Sequence, residues 1–207
     1  SDTHENTLAS MNNLANCLRT QGRYENALPI FEECLQLSKS KLGDTHESTL
    51  IYMSNLARCL QDQRKYDEAE RLYRTCLQLK KATLGDTHPD TLATMHKLAA
   101  CFEKQGKDND AEPLNRACLV AMKNKLGDTH PDTLTTMNNL AVCLDKQGKY
   151  DDAEQLHRTC LQLKKTKLGD THPDTLISMN NLAVCRDKGC KYDEAEALYR
   201  PCLVAMK

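Results

Sequence analysis

Asp, Thr and His stand side by side five times in this chain. The run LGDTHPDTL recurs unchanged at residues 84–92, 126–134 and 168–176, with LGDTHESTL from Leu42 and SDTHENTL from Ser1. An acid, a hydroxyl and an imidazole together could activate a nucleophile or hold a metal. Eleven cysteines add thiolates of the kind zinc prefers. The spacing argues against both chemistries. His4, His46, His88, His130 and His172 are 42 residues apart, as are Cys17, Cys59, Cys101, Cys143 and Cys185, and again Cys34, Cys76, Cys118, Cys160 and Cys202. Cys190 is left over. No CxxC pair exists, whereas zinc ligands come in closely spaced pairs. Thiols repeated in this way read as small buried apolar residues, which points to a reducing, cytoplasmic setting.

The elements that position these residues follow from the period. It divides the chain into units 1–42, 43–84, 85–126, 127–168 and 169–207, and a strict period decides the architecture before any local reading. In the fourth unit, two helical stretches flank Gln147-Gly148-Lys149. Gly148 stands where a helix must end in a left-handed residue. Asp151 and Asp152 favour the start of the second helix, Leu168-Gly169 ends it, and Pro173 suits the first turn of the next. Asp-Thr-His therefore falls in the connection between helical hairpins, where Asp and Thr are expected to cap free N–H groups. Equivalent points of packed hairpins lie about 10 Å apart, so the five histidines cannot converge on one metal, and neither metal nor cofactor is expected. Some positions depart from the pattern. Arg64 and Cys190 take the turn-glycine place, and Arg186 replaces a core leucine. Pro29 and Pro113 fall early in second helices, and Pro201 is expected to interrupt the last one.

The core positions carry a resemblance. Unit one has Met11, Leu14, Ala15 and Leu18, then Ala27 and Phe31; unit two has Met53, Leu56, Ala57 and Leu60, then Ala69 and Tyr73; unit four has Met137, Leu140, Ala141 and Leu144, then Ala153 and His157. This is similar to the tetratricopeptide pattern W-x2-L-G-x2-Y…A-x3-F, with Met in place of Trp and longer helices, as in the 42-residue repeats of kinesin light chains. The phrase HPDTLxxMNNLA also resembles repeats of signalling NTPases of the NB-ARC and NACHT type. The resemblance covers residues 1–207. It implies an all-α fold, an α-solenoid winding as a right-handed superhelix of five hairpins and ten helices, and a protein-interaction module whose first helices line a concave groove.

Winding the first helix at about 100° per residue puts Met11, Leu14, Ala15 and Leu18 on one half, with Cys17 at the border. Asn12, Asn13, Asn16 and Arg19 fall on the other. One groove series reads Asn13, Asn55, Lys97, Asn139 and Asn181; beside it run Asn16, Arg58, Ala100, Val142 and Val184. An amide donates and accepts at once, which suits the backbone of an extended peptide, and the resemblance supports asparagine in that role. The alternative is that the amides only solvate a helix face or bond the neighbouring hairpin. Asn12, His96, Asn138 and Asn180 flank the series. His96 reads as a groove contact and His157 as packing in an aromatic place. The ligand expected is a peptide acidic over Arg58 and Lys97 and aliphatic or aromatic against Val142 and Val184, with Asp145 and Asp187 on the rim.

Near-cancelling charges, 28 basic against 29 acidic, do not mark a binder of nucleic acid or of a membrane surface. No apolar run reaches the length of a membrane span. Aromatics at 4% leave little for stacking on bases. P-loop, HExxH and GxSxG motifs are absent, so no enzyme is expected. Two further readings stay open: the ligand-sensing part of a signalling NTPase, or a structural array. The opening Ser-Asp-Thr-His suggests a fragment of something longer. Leu198, Leu203 and Val204 would normally meet a following hairpin, so end-to-end self-association is expected.

Overall fold

Repetition at 42 residues gives ten helices. The computed structural model describes residues 2–205, with side chains from 5 to 203. In chain order they are α1 (Asp2–Thr20), α2 (Tyr24–Leu42), α3 (Glu47–Asp62), α4 (Tyr66–Leu84), α5 (Pro89–Lys104), α6 (Asp108–Leu126), α7 (Pro131–Lys146), α8 (Tyr150–Leu168), α9 (Pro173–Lys188) and α10 (Tyr192–Ala205). Two compact units result, Ser1–Gly106 with α1–α5 and Lys107–Lys207 with α6–α10. In the first unit consecutive helices pack as antiparallel pairs, and α1, α3 and α5 also lie side by side. In the second, α6 to α10 pack in sequence.

The helix starts correct one expectation. It is the histidine, not the aspartate or threonine, that caps. His46, His88, His130 and His172 hold extended backbone (φ −63 to −67°, ψ 138 to 140°), and each Nδ1 accepts the N–H two residues on at 3.1–3.2 Å. An acceptor placed this way satisfies a donor that the first helical turn leaves open. The aspartates turn back instead to the preceding helix. Asp44, Asp86, Asp128 and Asp170 meet Lys39, Lys81, Lys123 and Lys165 at 3.3–3.7 Å. The side chain of His4 lies outside the described residues.

The turns inside the hairpins obey the expected backbone. Gly22, Gly106 and Gly148 are left-handed, and so are their replacements Arg64 (φ 64°) and Cys190 (φ 61°). Proline behaves more mildly than expected. Pro201 does not interrupt α10, which continues to Ala205, and Pro29 and Pro113 lie inside continuous helices. All three are exposed, so water can reach the carbonyl that each one's missing N–H leaves unpaired.

The cysteines seal two kinds of joint. Cys34, Cys76, Cys160 and Cys202 donate to Leu8, Leu50, Leu134 and Leu176 carbonyls within their own hairpins, at 3.4–3.8 Å. Cys101, Cys143 and Cys185 donate to the first residue of the preceding even helix, at Tyr66, Asp108 and Tyr150, at 3.3–3.6 Å. None of the eleven is in a disulfide, and nine are buried; Cys17 and Cys190 are exposed. Leu14 also departs from its expected core role, being 54% exposed where Leu56, Leu98, Leu140 and Leu182 are at most 6% exposed. Among the described residues, nothing packs over this side of α1.

Candidate functional site

Asparagine and its replacements on the odd-numbered helices are tied to one another as well as to solvent. In the first unit, Asn55 Nδ2 donates to Asn12 Oδ1 at 2.9 Å, and Asn16 Nδ2 donates to the Asn12 carbonyl at 3.1 Å. Asn12 is therefore buried, contrary to its place on the polar half. Lys97 Nζ repeats the step one hairpin on, donating to Ser54 Oγ at 2.9 Å. In the second unit Asn181 Nδ2 donates to Asn138 Oδ1 at 2.7 Å. The Asn55–Asn12, Lys97–Ser54 and Asn181–Asn138 bonds each link one repeat's first helix to the next, which is the neighbouring-hairpin role weighed beside ligand binding, whereas the Asn16–Asn12 bond lies within α1. In each asparagine pair, the donor's amide oxygen and the acceptor's amide nitrogen lie outside this bond. Asn13, Arg58 and Asn180 are exposed; Asn16, Asn55, His96, Lys97, Asn138, Asn139, Val142, Asn181 and Val184 are half-buried.

Charge distinguishes the first unit. Burial pushes the Lys97 ammonium below the usual lysine range, with Lys80 and then Arg58 adding to the shift, and Asp90 offsets it only in part. Lys80, itself buried, gives its Nζ to the Asp90 carbonyl at 3.4 Å. None of these three cations forms an ion pair among the described residues. Lys80 and Ser54 were not visible as site residues in the sequence. Lys80 lies on a second helix, where the groove series offers no signal. It also borders a recess of about 200 Å³ with Glu47, Leu50, His88 and Asp90.

Among its described residues the second unit has no such cluster in the groove series. Val142 and Val184 stand half-buried in the Arg58 series. Asp145 is not on a rim: it is 6% exposed, and its Oδ2 lies 3.1 Å from His157 Nε2. His157 fills the aromatic place, 1% exposed. Arg186, in a leucine place, remains polar by joining Glu154 at 3.1 Å and Glu194 at 3.3 Å. Cys185 completes a buried Cys, His and Asp neighbourhood. Burial, then Asp145, pushes its thiol up to about 12, so the sulfur holds its proton and is no nucleophile. Among the described residues no group of three His, Cys, Asp or Glu side chains could hold a metal, and no helix is long and apolar enough to cross a membrane.

Comparison with known proteins agrees with this geometry. The tetratricopeptide repeat family model matches residues 6–82, 53–124, 109–166 and 132–203. Among solved structures, a kinesin-light-chain-like protein of Podosopora anserina with nearly identical TPR-like repeats superposes with a TM-score of 0.91 at 24% identity, covering 97% of this chain and 95% of that one. BtubC (BKLC) from P. vanneervenii matches with a TM-score of 0.82 at 19% identity, over 95% of this chain and 78% of that one. YrrB, a TPR protein with an unusual peptide-binding site, matches with a TM-score of 0.61 at 15% identity, over 94% and 84%. No curated protein matches at a significant level. At these identities the likeness concerns the fold, an α-solenoid of helical hairpins. With family matches spanning nearly all of its length, this chain belongs to the tetratricopeptide repeat family.

Proposed function

We propose that the chain is a protein-interaction scaffold of the kinesin-light-chain kind that holds extended peptides against its odd-numbered helices. The first unit takes an acidic stretch over Arg58 and Lys97; the second takes aliphatic or aromatic side chains against Val142 and Val184. The observation that carries this is the meeting of Lys80, Lys97 and Arg58 without an ion-paired carboxylate. Like charges brought together around the half-buried Lys97 ammonium destabilise the empty protein, and an incoming carboxylate relieves that while forming charge-assisted bonds. Asn13, Asn55, Asn139 and Asn181 add side-chain amide hydrogen bonds to the peptide backbone, each contributing about 0.5–1.5 kcal/mol net. YrrB, whose fold is similar, is a TPR protein with a peptide-binding site, which supports the class of ligand. Eleven cysteines outside any disulfide favour a reducing, cytoplasmic setting.

Fluorescence anisotropy with a labelled acidic peptide and its lysine-substituted counterpart tests the reading. Only the acidic peptide should bind, more weakly as salt rises. Arg58→Glu and Lys97→Met should each lower the affinity at least about ten-fold. Equal binding of both peptides, or no change in both variants, refutes the acidic specificity; unchanged affinity in Asn55→Ala with Asn139→Ala removes the amide series from the site.

A further inference from the structure

The two end faces of the chain are halves of the joint that it repeats internally. Along α1, Thr7, Ser10, Leu14 and Cys17 form an exposed stripe. Their counterparts one repeat on, Thr49, Tyr52, Leu56 and Cys59, are 0%, 6%, 6% and 0% exposed. Along α10, Leu203 is 66% and Tyr192 62% exposed, whereas Leu161, the counterpart of Leu203 in α8, is 7% exposed. Leu161 shows what a leucine at this place packs against. It lies in one cluster with Leu176, Met179 and Leu182 of the following helix. The residues of α1 equivalent to those three are Leu8, Met11 and Leu14.

The polar groups of the joint are also present in halves. In the second unit, Lys149 Nζ meets Glu112 at 2.7 Å and Lys191 Nζ meets Glu154 at 2.7 Å. Each of these glutamates also holds the arginine one turn on, Arg116 or Arg158. Glu196 holds Arg200 in the same manner but has no second cation among the described residues. Arg23, in the place of Lys149 and Lys191, is exposed, with no side-chain partner among the described residues. The thiol follows suit. Cys185 donates to the Tyr150 carbonyl at 3.6 Å, and exposed Cys17 is the equivalent donor for a carbonyl at Tyr192.

We infer that a second copy of this chain docks head to tail, with α10 of one copy seated on α1 of the next through the joint that unites consecutive repeats. Leu203 enters between Leu8, Met11 and Leu14, and Arg23 completes the Glu196–Arg200 pair. The contact is heterologous, so a pair joined by it keeps one unused copy of each face, to which further copies can add.

Sedimentation velocity from about 1 µM to about 1 mM, with the whole chain, tests this. The sedimentation coefficient should rise with concentration. Leu14→Glu and Leu203→Glu change only exposed positions, so both should keep the parent's circular dichroism and melting profile. Each alone should remain a monomer. Mixed in equal amounts, the intact α10 face of L14E and the intact α1 face of L203E should pair, giving dimers and nothing larger. Arg23→Glu and Glu196→Lys should each weaken association at least about ten-fold, and the double variant should recover it. A parent that stays monomeric throughout overturns the inference and leaves the faces to further repeats of a longer chain. Association unchanged in L14E, or no dimer in the mixture, overturns it as well.

Discussion

Glu154→Gln would measure what the polar joint of the second unit contributes. Glu154 accepts from Lys191 at 2.7 Å, from Arg186 at 3.1 and 3.2 Å, and from Arg158 at 2.6 Å. Lys191, against the opposing effect of burial and with help from Arg186, brings the carboxyl from 4.5 down to about 2. Fully expressed, such a drop corresponds to about 3 kcal/mol. Water reaches the partners, since the Lys191 and Arg158 side chains are 38% and 64% exposed, and screening reduces the contribution to about 1–2 kcal/mol. The glutamine keeps shape and one acceptor, so the loss at pH 7 should fall in that range by urea denaturation. The folded state binds its proton less readily than the unfolded state, so the stabilisation is present above about pH 4.5 and is lost as pH falls through about 2. The gap between parent and variant should therefore hold from pH 7 to about 5.5 and shrink below half by about pH 3. A gap that is the same at pH 3 and pH 7, or no gap at pH 7, refutes the assigned role.

Arg64→Gly and Cys190→Gly should each raise stability by about 1 kcal/mol, because both replace a side chain held at positive φ; a loss in thermal denaturation contradicts the assigned strain. His130→Ala should cost about 1 kcal/mol and His130→Asn much less, since asparagine can also accept the Asp132 N–H. Equal losses in the two would show that the imidazole contributes by packing rather than by capping.

The fold was legible because the period constrains every element at once. Gly148 and Pro173 mark where helices stop and start, and Met, Leu and Ala mark the buried halves. Sequence misassigned the caps because Asp-Thr-His offers three possible acceptors. Which one caps depends on backbone angles and on Lys165 drawing Asp170 away, neither of which is a property of the trio alone. Leu14 looked like core because its residue type matches Leu56. Its exposure depends on what stands in front of α1, which helical periodicity does not encode. Asp145 looked like rim for a related reason. Its winding angle is that of a polar residue, and only the histidine in the aromatic place of α8 shows why a carboxylate is buried there. The candidate site was partly legible: Asn55 and Arg58 could be read off one face, whereas Lys80 enters from the next helix.

Near-identical repeats impose a degeneracy that the departures resolve. A ligand that met five equal asparagines could slide by one repeat at no cost, since each register would offer the same bonds. Lys97 ends that equivalence in the first unit by placing an ammonium where an amide belongs, and Arg58 reinforces it from α3, one turn beyond Asn55. Val142 and Val184 replace the polar side chain in the second. The same logic applies to the joints: Arg186 and Glu154 make one joint of the second unit more polar than the Lys149–Glu112 joint, whereas Arg23 and Glu196 leave the ends chemically matched. On the proposed reading, residues that break the repeat fix where a ligand sits, and on the inferred head-to-tail contact, residues that keep it let one copy continue another.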